Sequence, residues 1–176
     1  VRVASREGTT IKQVAALPYR AGPRGHAEIL LITSRGTGRW VLPKGNRIRG
    51  LRPHQAAARE AFEEAGVTGV AAAAPIGSYR YAKERRDGSQ RPALVAVYPL
   101  AVHNIAAAFP EQHERESRWF TLDAAARAVI EPELKMIIAR FRNPGLPVPP
   151  VAGRTLRVVR WLRELRPRAA QLFGAT

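Results

Sequence analysis

The sequence predicts an α/β protein, a mixed sheet covered by helices, and three observations predict it. Segments rich in β-branched and apolar residues cluster in the first third of the chain and again in its middle. An alanine-rich stretch with helical spacing, Pro53 in its first turn and Gly66 just past its end, interrupts them. Helical spacing returns after Leu122, and the order strands, helix, strands, helix suits a sheet with helices packed on it.

Taken in order, "TIKQVAALPYR" (10–20) and "HAEILLITSR" (26–35) read as two strands joined by the turn "AGPRG". "RWVLPKG" (39–45) reads as a short third strand stopped by Pro43 and Gly45, and "NRIRGLR" lacks a period and is expected to be a loop. The helix from Pro53 to Gly66 follows. "GVAAAAPIGSYRYAK" and "RPALVAVYPLAV" are further strands joined by the polar hairpin "ERRDGSQ", and "RWF" (118–120) is a short one. "DAAARAVI" and "ELKMIIARF" are helical on either side of Pro132. "NPGLPVPPVAG" (143–153) holds four of the 14 prolines and is expected to be an extended linker. Beyond it, in 154–176, a helical wheel gathers Val158, Val159, Trp161, Leu162 and Leu165 on one arc and Arg157, Arg160 and Arg163 on the other. That basic amphipathic helix would pack on the domain of residues 1–142, pair with a second copy as a homodimer, or meet RNA or a membrane surface.

Composition narrows the chemistry. The chain has 176 residues, 45% of them hydrophobic, enough for a real core. Its longest apolar run, "ALVAVYPLAV" (93–102), is about half a membrane span, and no basic stretch leads into an apolar run at the start of the sequence. A soluble, cytoplasmic protein without stable membrane insertion is expected. No cysteine is present, which excludes disulfides, thiolate nucleophiles and cysteine-ligated zinc. His26, His54, His103 and His113 show no paired metal-ligand spacing, so a metal would be held by oxygen. Lys12, Lys44, Lys83 and Lys135 are the only lysines among 29 basic residues, and the net charge of +15 is carried by arginine. Planar guanidinium groups suit phosphate oxygens, so the balance favours polyanionic partners unless it reflects only the coding bias of the source genome.

Against that charge, "AAAREAFEEAG" (56–66) crowds three carboxylates together. Residues three and four apart are neighbours on a helix, so Glu60 meets Glu63 and Glu64, and the cluster must take up a proton or recruit a cation. Mg²⁺ fits best, with Mn²⁺ as an alternative, because it takes hard oxygen ligands and is commonly shared between carboxylates and phosphates. Arg59 is placed to pair with Glu63. The alternative is a solvated acidic helix face, but Arg39, Lys44, Arg47, Arg49 and Arg52 set cations close by. A metal site beside a cationic loop is what hydrolysis of a phosphoanhydride requires.

From Gly45 to Val67 the chain resembles the signature of the Nudix hydrolases: Gly, five residues, Glu, seven residues, Arg-Glu, an apolar residue, any residue, Glu-Glu, any residue, Gly, an apolar residue. Gly45, Arg59, Glu60, Glu63, Glu64, Gly66 and Val67 fall on their marks; Ala61 is smaller than usual, and Leu51 stands where the first glutamate belongs. "ITSRGTGRWVLPKG", "PIGSYRYAK" and "ESRWFTLDAA" extend the likeness over residues 10–142, toward the diphosphoinositol polyphosphate phosphohydrolase and diadenosine polyphosphate hydrolase branch. The resemblance implies a Nudix-type α/β/α sandwich and Mg²⁺-dependent cleavage of a P–O–P bond. It implies metal ligation by Glu60, Glu63, Glu64 and the backbone carbonyl of Lys44, with Arg59 orienting the carboxylates. In "EQHERESRWF", Glu111, Glu114 and Glu116 form a second acidic group, where such enzymes place an additional glutamate; Glu116 or Glu114 is the candidate base, against simple pairing with Arg115 and Arg118. Tyr79, Tyr81, Trp40 or Phe109 could stack on a base. Removal of pyrophosphate from RNA 5′ ends, and a non-catalytic ligand sensor suggested by Leu51, stand as alternatives.

Overall fold

The computed structural model describes residues 10–22, 25–84 and 87–142. The expected linker of 143–153 and basic helix of 154–176 lie outside them. Eight strands form one mixed sheet: β1 (Ile11–Ala21), β2 (Ala27–Thr33), β3 (Trp40–Val41), β4 (Lys44–Asn46), β5 (Val67–Ala71), β6 (Gly77–Glu84), β7 (Gln90–Ile105) and β8 (Ser117–Thr121). Helix α1 (Pro53–Ala65) lies between β4 and β5, and α2 (Leu122–Ala128) and α3 (Pro132–Ala139) follow β8. The central path runs β3-β2-β1-β7-β5, with β4 on β1, β6 on β7 and β8 on β2. Among the described residues only β1 and β7 run parallel, over Ile11↔Ala93 to Tyr19↔Ala101; the other pairs are antiparallel.

Strand β1 explains the layering. Its residues Gln13 to Tyr19 are all buried, as a strand covered on both faces must be. Successive side chains alternate, so Ala15, Leu17 and Tyr19 join Ala125, Leu134, Ile138 and Phe141 of the α2–α3 region, whereas Val14 and Ala16 join Ala56, Ala57, Ala61 and Ala65 of α1. The result is the expected α/β/α sandwich. The expected third strand is instead two pieces. Leu42 and Pro43 separate β3, paired with β2, from β4, paired with β1, because proline has no N–H for a ladder; the Pro43 carbonyl still accepts from Ala16 N at 3.0 Å.

Helix α1 begins at Pro53 after Arg52, whose backbone N–H donates to Gln55 Oε1 at 2.9 Å. It ends at Gly66, left-handed at φ 67°, whose N–H donates to the Phe62 carbonyl. A side chain on Gly66 would run into the Phe109 ring, so the same glycine that stops the helix admits the 106–116 segment against it.

Candidate active site

The inner stripe of α1 is alanine, which lets the helix lie close to the sheet, and the line Ala56, Glu60, Glu64 continues that stripe in steps of four. Gly45 in β4 makes room for it: a Cβ there would overlap the Glu60 carboxylate. Glu64 Oε2 accepts from the Lys44 backbone N–H at 2.9 Å, and Glu63 Oε1 accepts from Arg59 Nε at 2.7 Å, the pairing expected from their spacing. Burial, then the neighbouring charges of Glu64, Glu63 and Glu111, pushes the Glu60 carboxyl up to about 7 against the pull of Arg59. Burial also raises Glu64, opposed by Arg115 and by the Lys44 N–H.

The second acidic segment reaches the cluster through Glu111. Glu111 N donates to the Glu63 carbonyl at 3.0 Å, tying the segment to the last turn of α1. Arg115 threads beneath it, donating to the Thr33 carbonyl at 3.0 Å, to Glu111 Oε2 at 2.7 Å and to Glu64 Oε1 at 2.5 Å. Arg35 holds the other Glu111 oxygen and, at 2.8 Å, Glu114. The Glu116 side chain is exposed, and this residue meets Thr33 through its backbone N–H and carbonyl. Of the three acids in this segment, Glu111 is thus linked to Glu63 and, through Arg115, to Glu64, while Glu114 meets Arg35 and Glu116 is exposed. Arg115 was foreseen only as a partner of exposed acids; its spacing of four from Glu111 was the one available signal.

The cations divide. Arg47, Arg49 and Arg52 are exposed on the segment leading into α1. Lys44 pairs with Ala15 and Gly45 with Val14, so the Lys44 side chain leaves on the face away from α1, where its Nζ lies 5.4 Å from the centre of the Tyr81 ring and burial lowers its pKa. Arg39 reaches Glu131 at 3.4 Å. Leu51 packs with Ile48 against the α1-side core, so it replaces the expected acid with a hydrophobic contact. Of the aromatic candidates, Tyr79 is buried in the core, Trp40 packs edge-on against Phe120 and Phe109 covers Gly66; Tyr81, with its hydroxyl donating to Gln13, lies nearest Lys44.

Residues 11–141 match the NUDIX domain. The chain belongs to the Nudix family. Relatives include Nudix hydrolase 21, chloroplastic, of Arabidopsis thaliana, 34% identical over 137 residues that cover 74% of this chain and 65% of that protein. Nudix hydrolase 16, mitochondrial, of the same plant is 32% identical over 111 residues, 61% of each chain. The match thus spans less than two thirds of either plant relative's own length. The diphosphoinositol polyphosphate phosphohydrolase 3-beta of Bos taurus is 29% identical over 120 residues, covering 67% of this chain and 68% of that one. Among solved structures, the C. elegans Ap4A hydrolase superposes with a TM-score of 0.54 at 22% identity, over 74% of this chain and 94% of that one, which shows the shared fold. The plant relatives are named for mitochondria and chloroplasts, so family membership does not fix the expected cytoplasmic compartment. Among the described residues no helix is long and apolar enough to cross a membrane.

As the side chains of this Nudix domain stand, no three acids or histidines among the described residues converge on a single point, because Glu63 is turned to Arg59 and Glu64 to Arg115. The donor set nevertheless fits a hard divalent cation. It is oxygen throughout, and Glu60, whose carboxyl burial and the neighbouring acids push up to about 7, is a group whose charged form a bound cation would stabilise.

Proposed function

We propose that this Nudix protein is a divalent-metal-dependent pyrophosphohydrolase that cleaves a P–O–P bond in a polyphosphorylated small molecule of the diphosphoinositol polyphosphate or dinucleoside polyphosphate class. The observation that carries the proposal is that α1 sets Glu60 against the β4 glycine and Glu64 on the Lys44 N–H, with Glu63 one turn from Glu60 and Glu111 joined to Glu64 through Arg115. Glu60, Glu63, Glu64 and the Lys44 carbonyl would hold Mg²⁺ or Mn²⁺. When bound, such an ion screens phosphate charge and acidifies a water molecule.

The chain's own residues supply the rest. Arg59 keeps Glu63 turned along the helix, and the Lys44 N–H fixes one oxygen of Glu64. Glu111, whose carboxylate Arg115 and Arg35 hold beside the cluster, would serve as proton acceptor, with Glu116 and Glu114 as the alternatives. Arg47, Arg49 and Arg52, exposed beside the start of α1, would bind the phosphates that do not react, and Tyr81 offers a ring beside Lys44 for a flat or cyclic substituent.

Product release in Mg²⁺ from diphosphoinositol polyphosphates, dinucleoside polyphosphates, nucleoside triphosphates and 5′-triphosphate RNA tests this. Native protein should turn over one small-molecule class, EDTA should abolish it, and Glu64→Gln should lower kcat by ~10³-fold. Preference for the RNA would move the substrate to a nucleic acid. Binding without turnover on every compound would leave a sensor.

A further inference from the structure

We propose that Arg115 is a positioning residue that stands in for a divalent cation at Glu64 and yields that place when the ion binds. The inference rests on the reading of α1 as a metal site and deepens it.

The Arg115 and Glu64 side chains are 10% and 9% exposed, so this is an ion pair removed from water on both sides. Arg115 comes from outside the family signature, 51 residues along the chain from Glu64, and is held there by the Thr33 carbonyl and Glu111. Both oxygens of Glu64 are engaged, Oε2 by the Lys44 N–H and Oε1 by Arg115. A cation bound at Oε1 would stand beside the Arg115 guanidinium, so the two positive charges oppose each other there. The Lys44 N–H belongs to β4, whose ladder with β1 fixes it. Arg115 can let go at little cost, because a guanidinium has five N–H donors and two of its partners, Thr33 and Glu111, remain. A buried carboxylate left without any cation would be expensive, which explains why a positive charge is placed there. Two positive charges sharing one carboxylate repel each other, so the ion and the guanidinium should exclude one another at Glu64.

The test measures metal binding rather than turnover. Free Mn²⁺ is followed by EPR during titration of native protein, Arg115→Gln and Arg115→Lys, with melting in EDTA alongside. Arg115→Gln should melt lower in EDTA yet bind Mn²⁺ at least about five-fold more tightly, the sign expected when a competing charge is removed, with Arg115→Lys between it and native protein. Unchanged or weaker binding by folded Arg115→Gln would overturn the exchange while leaving the metal site standing. Failure of native protein to bind Mn²⁺ would overturn both. Should the glutamine variant not fold, low-temperature ¹⁵N spectra of the arginine side chains of native protein decide: adding Mg²⁺ should shift the Arg115 Nη2 hydrogens, which donate to Glu64, and speed their exchange with water while the Nε–H on Glu111 stays, and an unmoved Nη2 resonance refutes the proposal.

Discussion

The two acidic regions of this Nudix domain reach the same place by different physics. On α1, a single helical repeat sets Glu60, Glu63 and Glu64 side by side, and β4 helps them with a residue without a side chain at position 45 and the Lys44 N–H that holds Glu64. In the 106–116 segment no repeat exists. Glu111 arrives because Ala106 N donates to the Gly66 carbonyl, Phe109 lies over Gly66 and Glu111 N donates to the Glu63 carbonyl, all contacts with the end of α1. Regular structure carries its own geometry; the segment borrows its geometry from the helix. Changes on the helix side should therefore damage the site directly, and changes in the segment should act one residue at a time.

The largest effect separating the two belongs to Gly45→Ala. The new methyl would meet the Glu60 carboxylate, the free end of a flexible side chain, and Gly45 does not have a left-handed backbone that alanine would strain. The fold should therefore survive while Glu60 is pushed from the cluster. Metal-dependent turnover should fall by ~10²-fold with the melting temperature in EDTA almost unchanged. Loss of folding, seen by circular dichroism, would mean that β4 rather than Glu60 had given way.

Within the segment, Glu111→Gln should lower kcat about ten-fold or more, as loss of a proton acceptor does, and Glu116→Gln should leave it within about two-fold. The reverse ranking would make Glu116 the base, as the family resemblance implies.

These differences mark what was legible in the sequence. Helix α1 was, because alanines at core spacing, Pro53 and Gly66 each act locally. The sheet was legible from strand composition, and the layering follows once β1 is seen to be buried on both faces. The break at Pro43 was less so: it depends on which strand each piece pairs with. Lys44 was grouped with the cationic loop although strand alternation sends its side chain and Gly45 to opposite faces, and only the register with β1 says which goes where. Glu111 and Arg115 were hidden for a similar reason. Their partners Glu63, Glu64 and Thr33 lie far away in sequence, and nothing periodic links them.

A smaller effect sharpens the helix side alone. In EDTA, Glu60 has a folded pKa of about 7 against an ordinary 4.5. A raised carboxyl favours the folded state while it stays protonated, so its contribution is complete below about pH 4.5 and is lost as pH rises through about 7. The melting temperature of metal-free protein should accordingly fall by a few degrees, roughly 3–6 °C, across that window, and Glu60→Gln should flatten the fall. An identical slope in native and variant protein would place the crowding elsewhere. Divalent cation should tighten its hold over the same window, as the proton it displaces leaves more readily.

The smallest effect is expected where the family signature is broken. If Leu51 marks a lost ligand, Leu51→Glu should restore it and raise activity sharply. The packing argues otherwise. Leu51 is part of the hydrophobic surface that seats the start of α1, together with Ile48, and its backbone N–H donates to the Ile48 carbonyl at 3.1 Å in the turn before the helix. A glutamate there would give up apolar contact at a cost of about 1 kcal/mol and would turn toward solvent, leaving kcat within about three-fold of native. On the proposed reading, Glu111 supplies a fourth carboxylate from the other side. The substitution should become useful only when that supply is removed: in a Glu111→Gln background, Leu51→Glu should recover part of the lost turnover if position 51 can reach the cluster at all, and none if the core holds the turn where it is. The second outcome is the one the packing predicts, and it would mean that this chain moved its outer carboxylate from the helix entrance to the segment that closes over the helix end.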